Sequence, residues 1–156
     1  MTIFGAPGKT TLTDRRLKNK GLLGALQVAD AQELIDLNQR LLNSIALGDW
    51  DTYEQLCHSK LTCFEPEARG NLVEGMDFHG FYFKLATAPP NVAPNTTMAS
   101  PKVWMLGTDA AVIAYIRLVQ RLGADGPTTT AFEETRVWQR EAGQWRHIHF
   151  HRSSPQ

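Results

Sequence analysis

Three arginines stand where the surrounding pattern is apolar: Arg117 in AAVIAYIRLVQRL, Arg136 in TTTAFEETRVWQR and Arg152 in QWRHIHFHR. Along a strand, period-2 alternation sorts side chains by face. Arg117 therefore shares a row with Ile113, Tyr115 and Val119, Arg136 with Phe132, Glu134 and Trp138, and Arg152 with Ile148 and Phe150. A guanidinium keeps its charge inside a protein, so on such a row it must meet a carboxylate, a bound anion or a wet cavity. Glu134, two residues from Arg136 on the same face, can satisfy one of them. The chemistry implied is recognition, in an electropositive, partly apolar pocket suited to a small carboxylate or to an acidic loop of a partner. Arginines bind and polarise but do not readily accept protons. The plainer alternative has the same arginines reaching the rim and snorkelling to solvent.

Histidines invite a metal reading, because His147, His149 and His151 alternate in WRHIHFHR. Strict alternation places all three on one face, opposite Ile148, Phe150 and Arg152. Same-face neighbours on a strand are about 6.5 to 7 Å apart, so the outer two rings are roughly 13 Å apart, too far for one ion bonded at about 2.0 Å. We therefore expect these rings to pack or to bond at a rim or subunit contact, and no metal site. Cys57 and Cys63 lack a second Cys/His pair at finger-like spacing and read as reduced core thiols. The segment FEPEARGNLVEGMDFH gathers Glu65, Glu67, Glu74, Asp77 and His79, a set that could exchange protons. Its simpler reading is an exposed turn around Pro66 followed by an acidic first helical turn. GAPGKTT at 5–11 imitates a phosphate loop, yet the required earlier glycine falls at Ile3 and no strand can precede it.

The elements that must position these residues follow from periodicity. Leu34, Leu37, Leu41 and Ile45 recur at helical spacing, with Asp30 and Glu33 as an apparent capping box and Gly48 as the stop. A shorter helix is expected in GDWDTYEQLCH with Asp49 as its cap, and a third through Phe78, Phe81, Tyr82 and Leu85. After the proline-rich TAPPNVAPN, four strands separated by turn signals predict an antiparallel meander. Helices first and a curved antiparallel sheet afterwards make an α+β fold, with the long helix lying across the concave face. Residues 1–29, rich in glycine and without sustained periodicity, read as a flexible basic lead-in, and residues 30–154 as the folded domain.

Composition narrows the function classes. The chain has 156 residues, 42% hydrophobic and 21% charged, which suits one soluble domain whose core needs neither disulfides nor a structural metal. Sixteen Lys+Arg balance sixteen Asp+Glu, which argues against a dedicated nucleic-acid binder. No apolar run is long enough for a secretory or membrane-spanning segment, so a cytoplasmic protein with no membrane partner is expected. One imbalance stands out: Lys9, Arg15, Arg16, Lys18 and Lys20 against Asp14, followed by GLLGALQ. Such a segment suits a disordered arm or an acidic, methionine-lined partner.

The phrases FEPEARGNLVEGMDFHGFYF, AAVIAYIRLVQ and EETRVWQREAGQWRHIHFHRS closely resemble the association, or hub, domain of calcium/calmodulin-dependent protein kinase II, over about Asp30 to Ser154. That resemblance implies a cystatin-like, nuclear transport factor 2-like cone: a long N-terminal helix packed in a curved antiparallel sheet. It also implies homo-oligomeric assembly, in which dimers close into stacked, dihedral rings of about 12 or more subunits. By motif the ligand-binding residues would be His79, Arg117, Arg136 and Arg152, facing small carboxylates or acidic peptide, with no catalytic residue and no cofactor. Residues 12–27 would be the calmodulin-contacting segment, although Gly21 and Gly24 weaken a helix there. Gly80 stands where the family usually has a large basic residue, which implies an altered pocket mouth. A kinase domain in cis or trans is implied as a partner, but this chain carries no His-Arg-Asp or Asp-Phe-Gly motif and cannot phosphorylate anything by itself. The competing reading is a small-molecule enzyme of the same cone, of isomerase or dehydratase type.

Overall fold

The computed structural model describes residues 12–85 and 93–155, with side chains from residue 20. The GAPGKTT segment and most of the proline-rich loop lie outside the described residues. In chain order the elements are α1 (Leu12–Leu47), α2 (Trp50–Leu56), β1 (Cys57–Phe64), a 3-10 turn (Pro66–Ala68), β2 (Val73–Glu74), α3 (Asp77–Leu85), β3 (Asn95–Met105), β4 (Ala110–Gly123), β5 (Gly126–Glu141) and β6 (Gln144–Arg152). This is the expected α+β architecture, three helices against one sheet.

Helix α1 is longer than its periodic stripe predicts. It runs through Asp30 rather than starting there, so Asp30 and Glu33 are not a capping box. Both carboxylates instead face Arg140 of β5, whose Nη2 donates to Asp30 Oδ1 at 2.7 Å and lies 3.8 Å from Glu33. The apolar stripe then does what it promised: Leu34, Leu41 and Leu42 are fully buried, and Leu37 and Ile45 pack at the margin of the core. A polar residue sits among them. Asn38 is buried and accepts from Trp138 Nε1 at 3.3 Å, which pins the helix to β5. Gly48, at φ 70, closes the helix in the left-handed conformation that glycine adopts without strain. Asp49 then caps α2 by accepting from the Thr52 backbone at 3.0 Å.

The sheet has six strands in the order β2-β1-β6-β5-β4-β3. Strands β3 to β6 form the expected antiparallel meander. It does not end there, because β1 pairs with β6 in parallel and β2 adds antiparallel to β1, making the sheet mixed. One register brings Val103, Ile113, Arg136, Phe150, Cys63 and Val73 into a single inner row across all six strands. The neighbouring inner row sets Glu134 between Tyr115 and Arg152.

Strand β6 corrects the histidine reading. Val137 pairs with His149 while Trp138 pairs with His147, so Ile148 is an extra residue, a β-bulge. The bulge resets the alternation. His147 falls on the inner face with no exposed surface, whereas His149 and His151 remain on the outer one. The three rings therefore do not share a face.

Candidate functional site

His79, Arg117, Arg136 and Arg152 all reach the wall of one cavity of about 310 Å³, bounded on its apolar side by Phe83, Phe132 and Phe150. Strands β4, β5 and β6 supply the arginines, and α3 supplies the histidine. Two parts of this site differ in character.

At the deep end, Arg136 is almost entirely buried and Glu134 fully so. Arg136 donates to Glu134 Oε2 from Nη2 at 2.9 Å and from Nε at 3.1 Å, and to the Tyr115 hydroxyl at 2.8 Å. Its guanidinium lies 4.4 Å from the Phe150 ring centre, a cation–π contact. The Tyr115 hydroxyl in turn donates to Glu134. Burial favours the neutral acid, but the charges of Arg136 and Arg117 and the Tyr115 hydrogen bond outweigh it and hold Glu134 below the usual carboxylate range. Arg136 also meets His147 Nε2 at 3.3 Å, and as arginine only donates, Nε2 is the acceptor. The ring proton then sits on Nδ1, facing Cys57 Sγ at 3.6 Å. Burial, then the Arg136 charge, push His147 well below its ordinary pKa, so the ring stays neutral.

At the mouth, Arg152 donates through Nη2 to Glu65 at 2.9 Å and also to Glu67. These acids flank Pro66, and their turn is not the free exposed loop expected: Glu65 is mostly buried, Glu67 about 38% exposed. Burial works against the charged Glu67, but the Arg152 hydrogen bond and charge prevail and its pKa is lowered. Arg117 bridges the two ends, donating to Thr96 Oγ1 at 3.2 Å and meeting Glu134 at 3.4 Å. Burial lowers its pKa more than Glu134 restores it, so Arg117 is the least compensated cation of the three. His79 is wedged among the rings of Tyr53, Phe78 and Phe150. Burial, then the Arg136 charge, lower its pKa to about 4, leaving it neutral.

Gly80 does not reach this cavity. It backs onto Trp50, where an added Cβ would meet the indole at 3.4 Å. Glu65, Glu67, Tyr115 and His147 join the site without having been picked out for it. Arg117 and Arg136 were found because β4 and β5 keep unbroken alternation, and Arg152 because it follows the β6 bulge. As for acid/base work, the one deep carboxylate, Glu134, is tied to two arginines and a tyrosine and is a poor proton acceptor.

A cone of this kind, with a long helix and a cavity on the inner face of its sheet, is the nuclear transport factor 2-like fold. Solved structures too distant in sequence to show more than that share it, among them a nuclear transport factor 2-like superfamily protein from Salmonella enterica (20% identity, TM-score 0.67, covering 83% of this chain and 94% of that one). Residues 30–156 match the family model of the calcium/calmodulin-dependent protein kinase II association domain, and the chain belongs to that family. It is similar to the hub homology domain of Chlamydomonas reinhardtii (48% identity, TM-score 0.76, covering 80% of this chain and 97% of that one) and to the association domain from C. elegans (42%, 0.75, 81% and 96%). The delta subunit of the kinase from Oryctolagus cuniculus is 50% identical over 126 residues, 80% of this chain. This chain spans 24% of that relative's length. The association domain is a non-catalytic hub, separate from the kinase domain, and the isomerase or dehydratase reading is not favoured.

Proposed function

We propose that this chain assembles through residues 30–154 into a dihedral ring of about 12 or more subunits built from dimers, scaffolding a calcium/calmodulin-dependent kinase domain in cis or trans. Beyond family membership, one observation supports assembly. On the outer face of the sheet, Trp104, Val112, Val137 and His149 fall in one cross-strand row, and Trp104 is 53% exposed. Ile116 and Leu106 are exposed as well. An apolar surface of this kind on a single copy suits burial against another. The inner cavity, in the same proposal, takes a small carboxylate or an acidic peptide side chain, with Arg117 and Arg152 as the cations that meet it and His79 as a neutral hydrogen-bonding wall. Residues 1–29 form the basic lead-in, whose stretch 12–27 would be the calmodulin contact, and the assembly would work in the cytoplasm.

Light scattering tests the assembly. A chain of 17.4 kDa closed into a twelve-subunit ring gives a particle of about 209 kDa. A mass equal to one or two chains across micromolar concentrations would contradict it. Loss of the large particle on Trp104→Glu, with the isolated fold intact by circular dichroism, would place the outer face in the contact.

A further inference from the structure

The sequence offered no metal set, because Cys63 has no second Cys/His pair at finger-like spacing and Glu65 reads as part of an exposed turn. The fold closes that gap. Cys63, at the end of β1, and Glu65, just beyond it, meet His79 from α3, with one ligand atom of each lying within 4.8 Å of the others. The Cys63 sulfur is 3.7 Å from Glu65 Oε1 and 3.8 Å from His79 Nε2, and Glu65 Oε1 is 3.8 Å from His79 Nδ1. A tetrahedral ion with bonds of about 2.3 Å to sulfur and about 2.0 to 2.1 Å to nitrogen and oxygen holds its ligand atoms about 3.3 to 3.6 Å apart, so with a single His79 nitrogen as ligand the trio, whose ligand atoms lie within 4.8 Å of one another, closes by at most about 1.5 Å to seat the ion. Among the described residues it is the one group of three or more such side chains whose ligand atoms lie within 4.8 Å of one another.

We propose that Cys63, Glu65 and His79 bind a single divalent ion of the zinc class, with its fourth position open to the arginine-lined cavity. Three features favour it. The donors are already held: Glu65 accepts from Arg152 through its other oxygen, Oε2, which leaves Oε1 turned toward the sulfur and the imidazole. His79 is fixed by three flanking rings, and Cys63 has no exposed surface. Such outer contacts orient first ligands and raise affinity. Secondly, the donor types select the ion, since thiolate and imidazole suit zinc or cobalt, whereas magnesium and calcium want oxygen alone. Thirdly, the nearby cations do not forbid it. Arg136 is paired with Glu134, and Arg152 with Glu67 as well as Glu65. Binding would release the Cys63 thiol proton to solvent, and the resulting thiolate would offset half the charge of the ion. Because Glu65 and His79 both line the cavity, the open position faces it, as in sites that exchange a water or a ligand oxygen.

Cobalt(II) titration of the full chain tests the proposal independently of whether the cavity takes carboxylates. The expected result is one ion per chain, with visible absorption of a tetrahedral centre and a near-ultraviolet band from the sulfur, both displaced by zinc. Cys63→Ala and His79→Ala each weaken cobalt binding by about 100-fold or more. Cys57→Ala leaves it unchanged, since Cys57 faces His147 with no carboxylate beside it. Absence of a sulfur band from the unmutated chain would overturn the site, a readout that does not depend on any variant folding. Retention of the band in Cys63→Ala, or cobalt bound through imidazoles alone by the outer-face His149 and His151, would overturn it equally.

Discussion

The two ends of the cavity contain the same kinds of residue and use them differently. At the deep end, Arg136, Glu134, Tyr115 and His147 are buried and bonded to one another. At the mouth, Arg152 shares its charge with Glu65 and with the half-exposed Glu67. Water reaches the second pair and not the first. A buried ion pair contributes little beyond a well-packed apolar one, yet removing one member leaves an uncompensated charge in a dry place. The deep network is thus committed to the fold, while in the proposed function a ligand carboxylate would replace Glu67 at the mouth. Three arginines lining one cavity are therefore not three equivalent ligand contacts.

The largest expected effect comes from breaking the deep end. Arg136→Ala should destabilise the fold by about 3–5 kcal/mol, because Glu134 loses its closest cation. Urea unfolding of a species with unchanged subunit number measures this, and a loss below about 1 kcal/mol would erase the distinction between the two ends. Next in size is Arg152→Ala. It should lower affinity for a short monocarboxylate by about tenfold or more, with a stability loss smaller than that of Arg136→Ala, since Glu67, one of its two partners, is solvated. Comparable losses of stability for the two arginines would show that the mouth is structural too.

Acid should unfold the protein from the deep end. His147 faces Arg136, Cys57, Trp138 and Phe150 and is held neutral in the fold, whereas the unfolded ring takes a proton near pH 6.5. Its folded pKa is depressed, so the stability it confers is complete above pH 6.5 and declines as pH falls below that value, at up to about 1.4 kcal/mol per pH unit. His79 adds to the slope until its own pKa of about 4 is reached. A shallower slope between pH 6.5 and 5 in His147→Gln checks the share of the deep residue. The smallest effect belongs to neither end: Gly80→Ala should stabilise by about 0.5–1 kcal/mol, as helical glycine is costly and the new methyl makes an ordinary contact with Trp50.

Much of this was legible from residues alone, for physical reasons that also explain the misses. Strands β4 and β5 alternate without interruption, so the inward arginines and Glu134 could be read from spacing. Strand β6 cannot be read that way, because the bulge at Ile148 turns His147 inward while leaving no sign in the residue types. Arg152 escaped the same error only because the bulge precedes it. The parallel pairing of β1 with β6 joins segments more than eighty residues apart and has no local turn to announce it. Asp30 and Glu33 imitate a cap because an acid pair followed by leucines has two uses, and the partner that decides between them, Arg140, is distant in the chain. The same holds for Glu65 and Glu67, whose turn looks solvated until Arg152 arrives from β6.

The contrast between a committed deep end and an exchangeable mouth is tested most directly by titrating butyrate, a short carboxylate with an apolar tail, into the chain and into Glu67→Gln by calorimetry. Removing an acid from a site for acids should tighten binding several-fold, because the ligand no longer competes with Glu67 for Arg152. Equal or weaker binding by Glu67→Gln, or no saturable heat from either protein, would contradict the account.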